Sequence, residues 1–307
     1  MRKTSLNCIN ELAKQDERVL FIGSDLGTGV LEEMKRDMPE RFIMEGVSEQ
    51  HIIGMAAGLA MEGFIPYVNT IATFLTRRCY EQVVIDLCLH NVPVRLIGNG
   101  GGVVYAPLGP THLAIEDLAI MRVIPNMTVV APCDAEEMKR LMKQTLDWPD
   151  PIYIRLAKGG DEVVSREENG FTIGKGIIMR KPCEVLFVTT GILTQRAMIA
   201  ANMLENDGIG IGVLHLHTVK PLDRNLLVEQ ASKVSLLITA EEHTLCGGLG
   251  SSVLEALHDS GIKKIPSVVR LGLPDHFARE YGSQDSLMST CGLNPEHLAG
   301  QVRHHLL

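Results

Sequence analysis

The feature that most limits the fold of this chain is a series of strand-length apolar runs, each followed by a segment of helical period. The runs are continuously apolar instead of alternating with polar residues, which is typical of strands covered on both faces. The succession of strand, helix and strand predicts parallel pairing with helices on both sides of the sheet. In the first half, the predicted strands are 19–25, 65–71, 92–100, 127–133 and 151–157, and the predicted helices are 4–15, 49–63, 74–90, 113–121 and 134–148.

The pattern is interrupted by a polar, glycine-rich stretch at 158–176, which has no apolar period. We interpret residues 161–178 as a linker between a domain at 1–160 and a second domain at 179–307. The sequence therefore predicts an α/β protein of two domains, each a mostly parallel sheet with helices on both faces. In the second half, the predicted strands are 185–191, 211–217, 235–243 and 266–274, and the predicted helices are 194–206, 223–232, 249–259 and 295–306.

Composition argues against several classes of partner. The formal net charge is −8 and no basic run is present, which disfavours nucleic acid as a partner. The N-terminus is polar and the apolar runs are only strand-length, so neither a signal peptide nor a membrane span is expected. The 7 cysteines are scattered without zinc-ligand spacing. This usage predicts reduced thiols in a cytoplasmic protein and no metal site on this chain.

The segment MEGVSEQHIIGMAAGLAMEG (44–63) places an acid, Glu49, where a helix starts after a strand. Ligands bind at the carboxyl ends of parallel strands, and the small residues of the helix allow close approach of another group. A carboxylate desolvated there can hold or share a proton near neutral pH. Alternatively, an acid at this position only favours the positive end of the helix dipole. The spacing alone leaves both interpretations open.

The motif V-S-E-Q-H-x-x-G-M-A-A-G-L-A (47–60) resembles the corresponding segment of transketolases and 1-deoxy-D-xylulose-5-phosphate synthases. The similarity extends along nearly the whole chain, in family order. It implies the pyrimidine-binding domain and the C-terminal domain of a transketolase, and thiamine diphosphate as cofactor. The other matching segments are 73–86, GPTH (109–112), 124–138, 151–159, 190–197, VKPLD (219–223), 241–253 and LGLPDHF (271–277).

The resemblance assigns cofactor and catalytic roles to particular residues. It implies that Glu49 binds N1′ of the aminopyrimidine and favours the imino tautomer that activates the cofactor. Phe74 matches an aromatic residue that stacks on the pyrimidine, although a Phe at a helix start is also a common core residue. Ile71 lies where relatives often have a second aromatic residue. His112 of GPTH is expected to donate to a substrate oxygen or to shuttle protons.

Three basic residues are candidates for holding a substrate phosphate. In relatives, the basic residues that follow the last strand of the first domain have this role, and here they are Arg155 and Lys158. Arg77 is a weaker candidate. An arginine offers a bidentate fork and a lysine a point charge, and both suit a phosphate. The alternative is that they are ordinary solvated cations.

A segment that full-length relatives possess is missing. No Gly-Asp-Gly sequence occurs in the chain, whereas relatives use G-D-G…N to bind Mg²⁺ and the cofactor diphosphate. The resemblance therefore implies an N-terminal partner subunit that supplies the Mg²⁺ ligands and the diphosphate site. We expect a homodimer core within an α₂β₂ assembly, since closed two-fold symmetry is the commonest arrangement.

The chain departs from the family pattern beside His112. Leu108 stands where relatives commonly have an acidic residue, and Leu113 stands where they have Gln. Loss of a polar group that reads a substrate hydroxyl changes the accepted sugar, so a modified sugar is expected. The predicted function is ketol transfer between phosphorylated or modified sugars. A split deoxyxylulose-phosphate synthase, a 2-oxo acid dehydrogenase β subunit and a non-catalytic scaffold are the alternatives.

Overall fold

The computed structural model describes residues 1–24, 28–157 and 159–306. Within them, the first sheet has the strand order β10-β5-β6-β4-β3-β1-β2. Its strands pair in parallel except β10, which is antiparallel to β5. The strands are β1 (Val19–Gly23), β2 (Phe42–Met44), β3 (Ile65–Ile71), β4 (Arg95–Asn99), β5 (Thr128–Val130), β6 (Ile152–Leu156) and β10 (Thr218–Lys220).

The helices of the first half lie between these strands. The predicted helix 74–90 exists but departs from α geometry, because π-helical segments Phe74–Arg78 and Val83–Leu89 flank a short α-helical turn. The predicted helix 113–121 is shorter and begins later. The α-helices are α1 (Arg2–Gln15), α2 (Glu32–Asp37), α3 (Glu49–Met61), α4 (Tyr80–Gln82), α5 (Asp117–Arg122) and α6 (Ala135–Thr145).

The second sheet has the order β12-β11-β8-β9-β7, parallel except for the edge strand β7. Its strands are β7 (Ile177–Arg180), β8 (Val185–Thr189), β9 (Ile211–His215), β11 (Leu236–Thr244) and β12 (Ser267–Leu273). Its helices are α7 (Leu193–Asn206), α8 (Arg224–Ala231), α9 (Leu249–Asp259), α10 (Gln284–Thr290) and α11 (Pro295–Leu306). The predicted α/β architecture of two mostly parallel sheets is confirmed.

The two sheets are joined more closely than the linker prediction implies. The predicted strand 211–217 divides, since β9 ends in the second sheet and the chain then crosses to add β10 to the first. The Ala131 amide donates to the carbonyl oxygen of His217 at 2.8 Å. One buried hydrophobic cluster contains both Val130 and Phe187, which belong to different sheets. The second half of the chain therefore completes the edge of the first sheet.

Among the described residues, no helix combines the length and the apolar character that crossing a bilayer requires.

Candidate active site

The carboxyl ends of β3 and β4 form a polar edge of the first sheet. The side-chain nitrogen of Asn99, Nδ2, donates to Asn69 Oδ1 at 2.8 Å and to the carbonyl oxygen of Thr70 at 3.1 Å. Ser24, after β1, donates to Thr70 Oγ1 at 2.7 Å. These bonds fix the backbone immediately before the π-helical segment that starts at Phe74. The predicted site residues are built on this rigid edge.

Glu49 is the first residue of α3 and its side chain is only 2% exposed. Arg78 Nη1 donates to Glu49 Oε2 at 2.6 Å, and the Arg78 side chain is 42% exposed. Small residues let the rest of α3 pack close to the sheet, and Ala56, Ala57 and Ala60 are buried. The helix therefore carries a buried carboxylate whose partner comes from the solvent side.

Phe74 begins the π-helical segment, and Arg78 lies one helical turn further on. Their spacing and the wide π turn place Arg78 Cζ 4.1 Å from the centre of the Phe74 ring. The Arg78 guanidinium thus lies over an aromatic face and donates to Glu49 at the same time. Short π-helical segments occur frequently at functional sites. In this one, Arg78 contacts both the Phe74 ring and the Glu49 carboxylate.

His112 adds a second ring to this group through its contact with Phe74. Its ring makes an edge contact with Phe74, with centroids 5.3 Å apart. Nδ1 of His112 lies 2.9 Å from Thr111 Oγ1. Glu49, Phe74, Arg78 and His112 therefore form one contiguous group, which we call the Glu49 cluster.

The glycine-rich loop that carries His112 is tied to the second sheet. Gly102 has φ +65°, and a Cβ there would lie 2.4 Å from the Glu242 carboxyl carbon, so the close approach requires glycine. The Val103 amide donates to Glu242 Oε1 at 2.9 Å, and Gln284 donates to both Glu242 oxygens. Burial raises the pKa of Glu242. Position and orientation of His112 thus depend on both halves of the chain.

Comparison with known proteins agrees with this arrangement. The family model "Transketolase, pyrimidine binding domain" matches residues 1–160, and "Transketolase, C-terminal domain" matches residues 174–298.

The chain belongs to the transketolase family.

Two similar proteins differ in the share of their own length that this chain matches. The chain is 34% identical to "6-deoxy-6-sulfo-D-fructose transketolase subunit SqwH" of Clostridium sp. (strain MSTE9), covering 97% of this chain and 92% of that protein. It is 38% identical to "1-deoxy-D-xylulose-5-phosphate synthase 1" of Geobacter sulfurreducens, covering 96% of this chain and 46% of that protein. It thus spans about half the length of the synthase.

Solved structures agree in fold. A chain described as "Split gene transketolase, inactive beta4 tetramer" has a TM-score of 0.90 and 34% identity, with 99% of this chain and 97% of that chain covered. A transketolase of Pichia stipitis superposes with a TM-score of 0.81 at 19% identity and is covered to 45%, which shows the shared fold alone. The expected membership of the transketolase family, with pyrimidine-binding and C-terminal domains, is confirmed.

Within this transketolase-family chain, the structure brings together Glu49, Phe74 and His112, which the resemblance had singled out. Ile71 is buried at the carboxyl end of β3, three residues before Phe74. Arg78 was missed by sequence reasoning. The signal that could have found it is its spacing of four residues from Phe74, which places both side chains on the same helical face.

The structure gives Arg155 a different environment from the expected one. Its side chain is 6% exposed, and Nε donates to Asp117 Oδ2 at 2.8 Å. Nη2 donates to the carbonyl oxygen of Glu242 at 2.6 Å, so the guanidinium ties the two halves together. Nε and Nη2 are thus bonded to protein acceptors, and the expected phosphate contact of Arg155 stays a prediction.

Of the two other basic candidates, Arg77 is the one that lies among the described residues. Arg77 forms an ion pair with Glu116 beside a cavity of about 780 Å³, whose lining includes Pro274, Phe277 and Arg279. Its role in substrate binding stays a prediction. Lys158 lies outside the described residues.

The two leucines near His112 differ in exposure. Leu108 is 50% exposed, whereas Leu113 is 1% exposed and packs in the hydrophobic core. Leu113 is therefore a core residue whose apolar character is explained by packing. Only Leu108 remains available as a substrate-facing departure from the family pattern.

A second cluster of titratable side chains, which the sequence spacing did not predict, lies between the two sheets. Ligand atoms of Cys133, Glu137 and His215 lie within 4.8 Å of one another, and all three residues are buried. His215 Nε2 lies 2.9 Å from Glu137 Oε2, which also accepts from the Cys133 amide at 2.6 Å. Burial raises the pKa of the Cys133 thiol, which opposes the thiolate that a metal needs.

Several contacts cross the domain boundary: His215 meets Glu137, the His217 ring lies edge-on to the His215 ring, and Arg155 donates to the carbonyl oxygen of Glu242. We therefore interpret Asp117, Glu137, Arg155, His215 and His217 as a structural group, the interdomain network.

Proposed function

We propose that this chain is the C-terminal subunit of a heteromeric, thiamine-diphosphate-dependent transketolase. It would transfer a two-carbon ketol unit between phosphorylated or modified sugars. The observation that carries this proposal is the buried Glu49 carboxylate, which faces a planar donor stacked on Phe74. The end-to-end match to a split transketolase subunit supports it.

The Glu49 cluster fits the aminopyrimidine half of the cofactor. The guanidinium of Arg78 is a planar donor that bonds Glu49 and covers the Phe74 ring. An aminopyrimidine is likewise planar and can meet the same carboxylate and the same ring face. When bound, thiamine diphosphate supplies the electron sink for C–C bond cleavage. Glu49 would hold a proton at N1′, while Phe74 and Ile71 would fix the ring plane and exclude water.

His112 is placed to act on the substrate instead of the cofactor. Its ring contacts the Phe74 ring edge-on, and its Nδ1 lies 2.9 Å from Thr111 Oγ1. We propose that the ring donates to the oxygen of the sugar carbonyl, where negative charge develops. Arg77, beside the neighbouring cavity, is proposed to attract a terminal anion on the sugar.

The proposed substrate is a modified ketose with a terminal anion. The half-exposed Leu108 cannot accept a hydrogen bond from a sugar hydroxyl, and an unpaired buried hydroxyl costs about 1–3 kcal/mol. The similarity to a subunit named for 6-deoxy-6-sulfo-D-fructose supports a sugar of this kind. Its sulfonate is also a terminal anion.

A partner subunit completes the proposed enzyme. We place the diphosphate and Mg²⁺ sites on an N-terminal partner in an α₂β₂ assembly in the cytoplasm, in line with the similarity to a protein described as a transketolase subunit. The similarity to a split-gene transketolase chain supports this arrangement.

The experiment that tests this function is a donor–acceptor panel with the reconstituted complex. Xylulose 5-phosphate, 6-deoxy-6-sulfo-D-fructose and pyruvate are each offered as donors with aldose phosphate acceptors. We expect ketol transfer from a ketose, with the modified sugar preferred. Transfer from pyruvate with release of CO₂, and none from a ketose, would support the second candidate, a split 1-deoxy-D-xylulose-5-phosphate synthase. That candidate is favoured by the 38% identity to the synthase.

A further inference from the structure

We propose that Arg78 guards the cofactor site by blocking it. Its guanidinium occupies the Glu49 oxygen and the Phe74 ring face that the aminopyrimidine needs, so it must swing away before the cofactor is loaded. We call this arrangement the guarded form, and the arrangement with the Arg78 side chain in solvent the open form. This inference rests on the proposed function, because it takes Glu49 and Phe74 as the pyrimidine contacts. Arg78 itself is then a positioning residue that competes with the cofactor.

The contacts of Arg78 are mutually exclusive with those of a bound pyrimidine. Nη1 lies 2.6 Å from Glu49 Oε2, and Cζ lies 4.1 Å from the centre of the Phe74 ring. A second planar group cannot stack on the ring face that the guanidinium covers. Glu49 is almost fully buried, and its Oε2 is already engaged by Arg78.

The neighbouring contacts allow Arg78 to leave without unwinding the helix. Arg77, the preceding residue, is held by Glu116, and the Cys79 thiol donates to the carbonyl oxygen of Phe74 at 3.2 Å. The backbone on either side of Arg78 is therefore anchored. The Arg78 side chain is 42% exposed, so a rotamer change releases it into solvent.

The expected size of the effect follows from population shift. The apparent affinity for the cofactor is the affinity of the open form multiplied by the fraction of molecules in that form. A half-exposed ion pair combined with a cation–π contact corresponds to a bias of about 5- to 30-fold toward the guarded form. Removing the guard should tighten cofactor binding by the same factor.

The test is equilibrium binding of thiamine diphosphate to the heteromeric complex, measured by calorimetry at fixed Mg²⁺ and ionic strength. Arg78→Met should lower Kd about 5- to 30-fold, and Arg78→Lys should lower it less, because lysine keeps the charge but not the planar fork. The matched control is Arg303→Met, since Arg303 also pairs with a carboxylate, Asp207, at 2.6 Å and is 41% exposed. The control should leave Kd unchanged.

An unchanged or raised Kd in both Arg78 variants, with melting temperatures near that of the wild type, would overturn the proposal. If Arg78→Met does not fold, the result with Arg78→Lys decides. Glu49→Gln separates this failure from failure of the proposed function. A Glu49→Gln complex that binds cofactor and turns over like the wild type contradicts the function itself. Weakened binding in that variant together with an unchanged Kd in the Arg78 variants contradicts only the guard.

Discussion

Arg78 and Arg155 each donate to a carboxylate within the same domain, at 2.6 and 2.8 Å, yet the two ion pairs belong to different kinds of region. The pair in the Glu49 cluster has a half-exposed arginine and a buried acid. The pair in the interdomain network is buried on both sides and is joined to backbone carbonyls of two segments. Exposure of the cation, more than the geometry of the pair, therefore distinguishes an exchangeable contact from a structural one.

This difference follows from the cost of moving a charge. The half-exposed Arg78 is rehydrated when it leaves Glu49, which offsets part of the cost of the exchange. Removing Arg155 would instead leave Asp117 charged in a place that water does not reach. The Glu49 cluster can accordingly change partners, whereas the interdomain network holds the frame around it.

The largest effect is expected from substitution of Glu49, the acid of the Glu49 cluster, and it should appear in the turnover rate. Glu49→Gln keeps the side-chain shape but cannot transfer a proton, so turnover of the reconstituted complex should fall by about 10²–10⁴-fold at saturating cofactor. The control is Glu62→Gln at the exposed end of the same helix, which should retain activity. Equal turnover of the Glu49 variant and the wild type would contradict the catalytic role of the Glu49 cluster, and with it the contrast with the interdomain network.

The next effect is on stability and should separate the two arginines. Arg155→Met should lower the free energy of unfolding by about 3–5 kcal/mol, because Asp117 is left as an unpaired buried charge. Arg78→Met should lower it by a smaller amount, because the half-exposed Arg78 contributes less to its ion pair, although Glu49 also loses its partner. Denaturant unfolding of the isolated chain measures both. Asp117→Asn combined with Arg155→Met should recover part of the loss, and equal losses in the two single variants would refute the distinction.

A smaller effect is expected from acid, and it should be confined to the interdomain network. Burial lowers the pKa of His217 to about 4 from an ordinary value of 6.5, despite the opposing charge of Glu137. The unfolded chain then binds more protons than the folded one between these values. His217 should therefore contribute full stability above pH 6.5 and progressively destabilise the fold as pH falls to 4, by at most about 3 kcal/mol.

Unfolding free energies measured at several pH values check this expectation. His217→Gln should flatten the profile between pH 6.5 and 4. A profile of unchanged slope in the variant would show that another group is responsible. Glu137, whose pKa is lowered to about 2 by His215 and His217 despite the opposing effect of burial, loses its contribution only between pH 4.5 and 2.

Much of the fold was predictable because the strands are continuously apolar. The runs 65–71 and 151–157 became β3 and β6, and the parallel order follows from the helices between them. What the pattern could not show is the crossing of β10, since three residues of ordinary composition carry no signal for the sheet that they join. The π-helical geometry at Phe74 was also unreadable, because apolar spacing does not distinguish it from α-helix.

The candidate site was predictable in part. Glu49, Phe74 and His112 carry the resemblance and lie together in the structure, although their roles remain proposals. The ion pair of Arg155 with a buried acid was not predicted, since a basic residue after a strand looks the same in sequence whether it faces a ligand or a buried acid. Its partner Asp117 lies 38 residues away along the chain. Arg78 was overlooked because its importance depends on Glu49, which lies 29 residues away along the chain.

The most direct test of the account is calorimetric titration of thiamine diphosphate into the chain alone and into its complex with an N-terminal subunit. The account predicts weak or no binding by the isolated chain, because the Glu49 cluster offers only the pyrimidine contacts. It predicts tight, Mg²⁺-dependent binding once the partner supplies the diphosphate site. Tight, Mg²⁺-dependent binding by the isolated chain would contradict it.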